Sequence, residues 1–344
     1  AYSNDGIHFE KYARNPVVVN EAERNFRDPK VFWHDESGAY VMVIAAGQKL
    51  MFYHSENLLE WGYSGMFAGD AINQGSVFEC PDMIRLSSHG VSKWVLLFSL
   101  TCTSDTDWRM RYLIGDFDGK TFVPDGADRI LHAADDGIDH YASVTFHGLP
   151  DGRTILLGWM NYWGYADKIP ATAFRGSMTL PREISLVNTS KGLRLAQTPV
   201  REVFETFHER ESIDEIRKGP LSLPLKTVPF AVKLTAVAQD FTIVFHNNID
   251  RLIVLYDAEK NTICCDRSQC GIAGFSPKYS QAIESRIENQ TDKIDLVIIV
   301  DITSIELFAC GGKNVITAQL FMQKPFTEFV VSDGCVLKAL EFLF

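Results

Sequence analysis

The sequence lacks the features that define several protein classes. No apolar run approaches the about 20 residues that a membrane-spanning helix needs. Basic residues number 33 against 44 acidic ones, and the formal net charge of -11 argues against nucleic acid or an anionic membrane as a partner. The cysteines lie near no histidine and form no spaced Cys-x-x-Cys pairs, so we expect free thiols, no metal site and no cofactor.

Helical periodicity over ten or more residues is also absent from the first half of the chain. Short strand-like runs alternate there with Gly, Asp, Asn and Pro, a pattern typical of a sandwich, a barrel or a propeller. Two similar turns, at residues 2–9 and 115–122, favour a propeller because each resembles the turn before the outer strand of a blade. At 344 residues the chain is long enough for two domains.

The pattern changes after residue 192. We predict a propeller domain over residues 1–192, a linker over 193–217 that contains a charged run, and a β-sandwich over 218–344. Few polar groups converge in the last segment, so we expect it to have a structural role.

Two short motifs in the first domain carry the functional signal. Glu79 precedes a cysteine and a proline, and Asp28 lies between an arginine and a proline about fifty residues earlier. A carboxylate at a strand end is usually a solvated surface group. Two of them beside aromatic residues also suit glycoside cleavage, where one acid protonates the leaving oxygen and another stays charged against the oxocarbenium ion.

These motifs, in this order and spacing, resemble family 32 of the glycoside hydrolases, which includes invertases, levanases and exo-inulinases. The motifs are Arg-Asp-Pro at 27–29 and Glu-Cys-Pro at 79–81, and further similar blocks lie at 139–143, 157–166 and 174–183. The resemblance extends over nearly the whole chain. It implies an all-β protein with a five-bladed β-propeller, its first blade largely absent from this chain, followed by a β-sandwich.

The resemblance also implies roles for individual residues. Glu79 matches the general acid/base, and Asp28 matches the carboxylate that grips sugar hydroxyls in the transition state. Arg27 should hold the sugar and orient Asp28 through charge-assisted hydrogen bonds. Cys80 should shape the backbone under Glu79, and Trp159 should line the pocket for a fructosyl ring.

Two further substrate-binding candidates come from the block at 139–143. Asp139 and Tyr141 match the family's Asp-x-Tyr-Ala segment. Asp139 follows two other acidic residues, so a solvated loop is the alternative interpretation of its position.

One departure from the family pattern affects the mechanism. The family's nucleophile lies in a Trp-x-Asn-Asp-Pro-Asn-Gly motif of the first blade, and no such motif occurs in this sequence. The retaining mechanism needs that carboxylate about 5 Å from the acid. We therefore expect an N-terminal segment, or a second chain, to complete the propeller.

Three interpretations follow from these observations. The first is a retaining β-fructofuranosidase that releases fructose from levan, inulin or sucrose, a substrate class that favours a secreted protein. The second is an inactive fructoside-binding protein that kept the pocket without the nucleophile. The third is a scaffold that binds nothing specific, although buried acids are costly without a task.

Overall fold

The structure is a computed structural model. It describes residues 1–20, 23–68, 75–103, 108–126, 131–146, 148–171, 174–213, 217–288, 292–332 and 334–344. Regular structure in these ranges consists of antiparallel strands and one short helix, which agrees with the predicted all-β class. No helix in the described part of the chain is long and apolar enough to cross a membrane.

Three antiparallel sheets follow one another between residues 26 and 199, each with its main strands in chain order. The first contains Phe26–His34 (β1), Ala39–Ala46 (β2), Lys49–Ser55 (β3) and Gly62–Ala68 (β4). The second contains Phe78–Ser88 (β5), Val91–Leu100 (β6), Arg109–Phe117 (β7), Phe122–Pro124 (β8) and His132–Ala133 (β9). The third contains Tyr141–Phe146 (β10), Ile155–Met160 (β11), Ser177–Met178 (β12), Arg182–Thr189 (β13) and Gly192–Pro199 (β14).

These three sheets are propeller blades that stack face to face. Phe32, Val43 and Phe52 of the first sheet pack against Met83, Leu96 and Phe98 of the second. The opposite face of the second sheet packs against the third through a separate cluster that includes Val95, Tyr112, Leu156, Ile184 and Leu195. The middle blade is therefore covered on both faces, and its strands are rich in continuous apolar sequence.

The remaining strands form two sheets that face each other. After a short helix, Arg201–Glu205 (α1), the strands are Arg210–Ile213 (β15), Arg217–Lys218 (β16), Leu221–Pro224 (β17), Phe230–Val237 (β18), Phe241–His246 (β19), Arg251–Asp257 (β20), Thr262–Gln269 (β21), Ile283–Arg286 (β22), Lys293–Asp301 (β23), Ser304–Ala309 (β24), Asn314–Gln319 (β25), Glu328–Val331 (β26) and Val336–Leu343 (β27). One sheet has the order β15-β27-β18-β23-β24-β25, with β16 beside β27. The other has the order β17-β26-β19-β20-β21-β22.

Alternating side chains explain why these two sheets form a sandwich. In β19 the side chains of Phe241, Ile243 and Phe245 are buried, while the intervening ones are only partly covered. Because successive side chains of a strand point to opposite faces, this alternation gives each sheet one apolar face. The apolar faces meet in one large core, as predicted for a sandwich.

Strands occupy both ends of the segment predicted as a linker. Residues 193–199 belong to β14, which pairs with β13 along its whole length, and 210–213 form an edge strand of the sandwich. The charged run looked like a linker because an exposed edge strand carries mostly polar side chains. Residues 214–216 lie outside the described part. We propose that the linker covers only residues 200–209.

The two domains are joined through buried charges. Arg182 of β13 donates to Glu306 of β24 at 2.6 Å and to Asp135 at 2.8 Å, and all three side chains are buried. The backbone N–H of Thr317 in β25 also donates to Asp135, at 2.9 Å. A buried ion pair is stabilising only when its partners remain matched, so this junction depends on every member.

A test of this junction compares two Arg–Glu pairs that both cross from the third blade to the sandwich. Glu306→Leu should lower the free energy of unfolding by about 3–5 kcal/mol, because it removes a partner of the fully buried Arg182. Glu288→Leu, which breaks the more exposed pair with Arg194, should cost about 1 kcal/mol or less. Urea unfolding followed by circular dichroism measures both, and equal losses would contradict a special role for the buried pair.

Candidate active site

The first strand of each blade begins with the same irregularity. The pairing of β1, β5 and β10 with the next strand slips once, and the slips lie between Arg27 and Lys30, between Glu79 and Asp82, and between Tyr141 and Val144. Each slip contains a residue with a left-handed backbone: Asp28 (φ 58°), Cys80 (φ 47°) and Ala142 (φ 54°). The three blades therefore repeat one local β-bulge, and the two motifs found in the sequence occupy equivalent positions in two of them.

Contacts between blades hold these bulges in place. A left-handed conformation costs on the order of 1–3 kcal/mol for a residue other than glycine, so it persists only where its surroundings favour it. The N–H of Cys80 donates to Asp28 Oδ2 at 2.9 Å, and the N–H of Ala142 donates to Ser99 Oγ at 3.1 Å. Each of these bonds connects a bulge to the preceding blade.

Glu79 is held between the two neighbouring blades. Arg27 Nη2 donates to its Oε1 at 2.7 Å, and the hydroxyl of Tyr141 donates to its Oε2 at 2.6 Å. The Glu79 side chain is still 21% exposed. One carboxyl group thus receives a donor from each side and remains accessible to a substrate.

Asp28 lies in the bulge beside Glu79. Its Oδ2 accepts from the backbone of Cys80, and Arg27 Nε lies 3.8 Å from the same oxygen. The arginine was expected to orient Asp28, but its short contact is with Glu79 instead. The bulge explains the difference, because Arg27 and Asp28 are adjacent residues and the left-handed backbone at Asp28 changes the chain direction between them.

The environment of Cys80 keeps its thiol protonated. Burial, followed by the negative charges of Asp28 and Glu79, raises the pKa of Cys80 to about 12. A thiol with this pKa is a poor nucleophile at neutral pH. The contribution of Cys80 to the site is therefore its backbone, whose left-handed conformation places Glu79.

Tyr141 is also a protonated donor. Burial, and then its hydrogen bond to Glu79, raises the pKa of Tyr141 well above the ordinary value for a phenol. Trp159 of β11 pairs directly with Tyr141 of β10, so the two side chains share one face of the third blade. The Trp159 ring is half-buried and lies 5.0 Å from the ring of Trp163.

The structure places Asp139 away from this group and corrects its prediction as a substrate-binding residue. The side chain is fully buried at the domain junction. Its Oδ1 accepts from the hydroxyl of Tyr165, and its Oδ2 accepts from the guanidinium of Arg267 and from the N–H of Gln319 at 2.8 Å. Both oxygens are occupied by protein donors, so Asp139 joins the propeller to the sandwich.

Three residues below the site were missed in the sequence. Lys30 Nζ donates to Asp82 Oδ2 at 3.0 Å and to the carbonyl of Thr145 at 2.6 Å. Lys30 and Asp82 each follow the proline of a recognised motif, so their common offset was a signal that could have found them. In the described ranges, no three His, Cys, Asp or Glu side chains gather in a way that could hold a metal ion.

The site can therefore perform acid–base chemistry on a polar ligand. It brings together two carboxyl groups, a guanidinium, a phenol and an indole from three neighbouring blades. Five of the seven predicted site residues supply these groups, Cys80 contributes its backbone in the bulge beside Glu79, and Asp139 lies elsewhere.

Comparison with known proteins identifies the family to which the chain belongs. The family described as "Glycosyl hydrolases family 32 N-terminal domain" matches residues 1–199, and "Glycosyl hydrolases family 32 C terminal" matches residues 200–338. A levanase of Bacillus subtilis (strain 168) is 33% identical over 345 residues, which cover 92% of this chain and 50% of the levanase. An extracellular exo-inulinase of Aspergillus awamori is 33% identical over 93% of this chain and 66% of its own length.

Solved structures give the same result for the fold. The exo-inulinase from Aspergillus awamori superposes with a TM-score of 0.85 at 28% identity, covering 96% of this chain and 70% of that one. The β-fructofuranosidase from Schwanniomyces occidentalis complexed with fructosyl-erythritol has a TM-score of 0.85 at 26% identity, covering 96% and 72%. The propeller-plus-sandwich architecture is thereby confirmed. The chain spans about half the length of the Bacillus levanase.

The charge of Asp28 should be detectable at the neighbouring thiol. Since that charge helps to raise the pKa of Cys80, Asp28→Asn should lower this pKa, and each unit should increase the thiolate fraction about tenfold. Iodoacetamide labelling at about pH 9, followed by mass spectrometry, measures the effect. Cys310, in the sandwich, is the internal reference. An unchanged ratio of Cys80 to Cys310 labelling would contradict the proposed contact.

Proposed function

Since this chain belongs to family 32 of the glycosyl hydrolases, we propose that it forms part of a β-fructofuranosidase. The reaction would be the release of terminal fructose from levan, inulin or sucrose with retention of configuration. The observation that carries the proposal is the position of Glu79, which is held by Arg27 and Tyr141 beside the second carboxyl group of Asp28.

Glu79 is the proposed general acid and base. In the first step a nucleophilic carboxylate attacks the anomeric carbon of the fructosyl unit, while the Glu79 proton passes to the departing glycosidic oxygen. In the second step Glu79 takes a proton from water, which attacks the same carbon and frees the carboxylate. The donors Arg27 and Tyr141 fix the direction in which the carboxyl group presents its proton.

Asp28 and Trp159 are the proposed substrate contacts, together with the exposed part of Arg27. Asp28 accepts hydrogen bonds from fructose hydroxyls, and these bonds strengthen as positive charge develops on the ring. The indole of Trp159 packs against the C–H face of the sugar. The relatives at 33% identity are a levanase and an exo-inulinase, which favours fructans over sucrose as the main substrate.

The nucleophile is not assigned to any residue of this chain. We propose that further blades of the same propeller bring it, either from an N-terminal segment or from a second chain. The outer faces of the first and third blades are only partly covered and still expose large apolar side chains, which supports this. Trp33 and Met66 of the first blade are 48% and 52% exposed, and Phe146 and Met178 of the third are also more than half exposed. Exposed apolar side chains gathered on one face can mark a surface that binds other protein elements.

The acid assignment of Glu79 can be tested with two substrates of different leaving-group quality. In the complete enzyme, Glu79→Ala should lower kcat on sucrose or levan by a factor of about 100 or more, because the leaving oxygen is no longer protonated. Turnover of an aryl fructoside, whose leaving group needs no proton, should fall much less. Steady-state kinetics on both substrates measure the difference.

Lys93→Met is a suitable control for this experiment. Lys93 lies on the outer part of the second blade, where it binds Asp116 and Asp125, and its loss should affect both substrates equally and weakly. Equal losses on both substrates in Glu79→Ala would remove the acid assignment.

The need for further blades predicts the behaviour of the 344-residue chain produced alone. It should release no fructose from sucrose, inulin or levan, and its open faces should cause self-association detectable by light scattering. Replacing Trp33 and Met66 by Glu should reduce association, since a charge on the open face opposes its burial. Val123→Glu changes an equally exposed side chain on the outer strand of the middle blade and should have no effect.

Two outcomes would redirect the proposal. A monomer that hydrolyses fructan would mean that the nucleophile lies within these residues. A soluble, inactive monomer that binds fructose in calorimetry would favour the fructoside-binding interpretation instead.

A further inference from the structure

A second layer of contacts joins the three blades directly below the site. It consists of Lys30, Asp82 and Thr145, and we call it the lower layer. Each member follows the bulge on the first strand of its blade: Lys30 and Asp82 are the first residues after the slip, and Thr145 is the second.

The lower layer is a closed set of bonds around one carboxylate oxygen. Asp82 Oδ2 accepts from Lys30 Nζ at 3.0 Å, from the N–H of Thr145 at 2.7 Å and from its hydroxyl at 2.8 Å. Lys30 Nζ also donates to the carbonyl of Thr145 at 2.6 Å. Every pair of blades is thereby connected, and the first and third blades meet through Lys30 alone in this layer.

Charge and burial make Lys30 the central member. Asp82 is fully buried, whereas the Lys30 side chain is 18% exposed. A buried carboxylate needs a compensating charge, and the ammonium group of Lys30 lies within hydrogen-bonding distance of it. Three donors on a flexible stem let one group reach two different blades, which a neutral side chain of similar length cannot do.

We propose that Lys30 is a positioning residue that fixes the three bulges and, through them, the distances from Glu79 to Arg27 and Tyr141. In each first strand the bulge lies between the residue that contacts Glu79, or Glu79 itself, and the residue of the lower layer. A shift of the lower layer therefore reaches the site through the bulge. When the lower layer separates, the left-handed backbone loses the support that holds it. The consequence for catalysis rests on the function proposed above, but the structural consequence does not.

Amide hydrogen exchange tests the structural part without any activity measurement. The N–H groups of Cys80 and Ala142 donate across blades, so their exchange rates report on the bulges. Lys30→Met should accelerate exchange at both amides by about tenfold or more. Lys30→Arg, which keeps the positive charge, should give rates close to those of the unmodified protein. The measurement is made on the same complete enzyme as the kinetics described below, and the exchange readout itself needs no activity.

Lys93→Met is the matched control. Lys93 lies in the same blade as Cys80, its side chain is 20% exposed, and it also binds two acceptors, Asp116 at 2.9 Å and Asp125 at 2.8 Å. Lys93→Met should leave the exchange rates of the Cys80 and Ala142 amides unchanged. Equal exchange in Lys30→Met, Lys93→Met and the unmodified chain would overturn the proposal.

Kinetics of the complete enzyme test the catalytic part. Lys30→Met should lower kcat on sucrose by about tenfold or more with KM changed less than about twofold, since the displaced groups, Glu79 and Asp28, act more strongly in the transition state than in the bound substrate. Faster amide exchange together with a Glu79→Ala variant of normal activity would support the positioning role and reject the proposed function. Unchanged amide exchange in Lys30→Met together with an inactive Glu79→Ala variant would reject the positioning role and support the proposed function.

Thr145→Val provides a milder change should Lys30→Met fail to fold. It removes one donor to Asp82 and leaves the Lys30–Asp82 pair in place. Exchange at Cys80 and Ala142 should then rise about threefold, and no rise in a folded Thr145→Val protein would overturn the proposal.

Discussion

The candidate site depends on three residues whose backbone is left-handed although none of them is a glycine. At Asp28, Cys80 and Ala142 this conformation is unfavourable by itself, and hydrogen bonds between blades support it: Cys80 N–H donates to Asp28, and Ala142 N–H donates to Ser99. The same bulge turns the preceding side chain toward the adjacent blade. Arg27, Glu79 and Tyr141 therefore meet because the blades are packed together, and they would separate if the packing were lost.

The β-sandwich takes part in this arrangement, although the sequence indicated only a structural role for it. Asp135 and Asp139 lie a few residues before Tyr141, and both are bound by the sandwich, through Thr317 and through Arg267. Glycine at position 137 is required between them, since a Cβ there would lie 2.0 Å from the carbonyl oxygen of Thr317. The sandwich thus fixes the segment that delivers Tyr141 to Glu79.

Local motifs made much of this site predictable from sequence. Arg27, Asp28, Glu79 and Cys80 were found because each motif joins a reactive side chain to a proline at a strand end. Lys30 and Asp82 share the position after the motif proline, but only the folded structure shows that they bind each other from two blades, 52 residues apart. Asp139 was predicted to bind substrate from its match to the Asp-x-Tyr-Ala segment, which does not reveal that Arg267, 128 residues later, binds its carboxylate. Residues 210–213 form a strand inside the predicted linker, and the sequence did not show it because an exposed edge strand and a linker share a polar composition.

The repetition of the bulge also explains how one fold assembles different chemical groups. The backbone position before each left-handed residue carries Arg27, Glu79 or Tyr141, so a guanidinium, a carboxyl group and a phenol reach the same place from three blades. The left-handed position itself carries a carboxylate only at Asp28, and Cys80 and Ala142 contribute backbone alone. Each blade therefore supplies one or two functional groups, and the set of groups at the site depends on how many blades surround it. Retaining hydrolysis requires a third carboxylate beside Glu79 and Asp28, which is why the open faces of the outer blades and the identity of the nucleophile are one structural question.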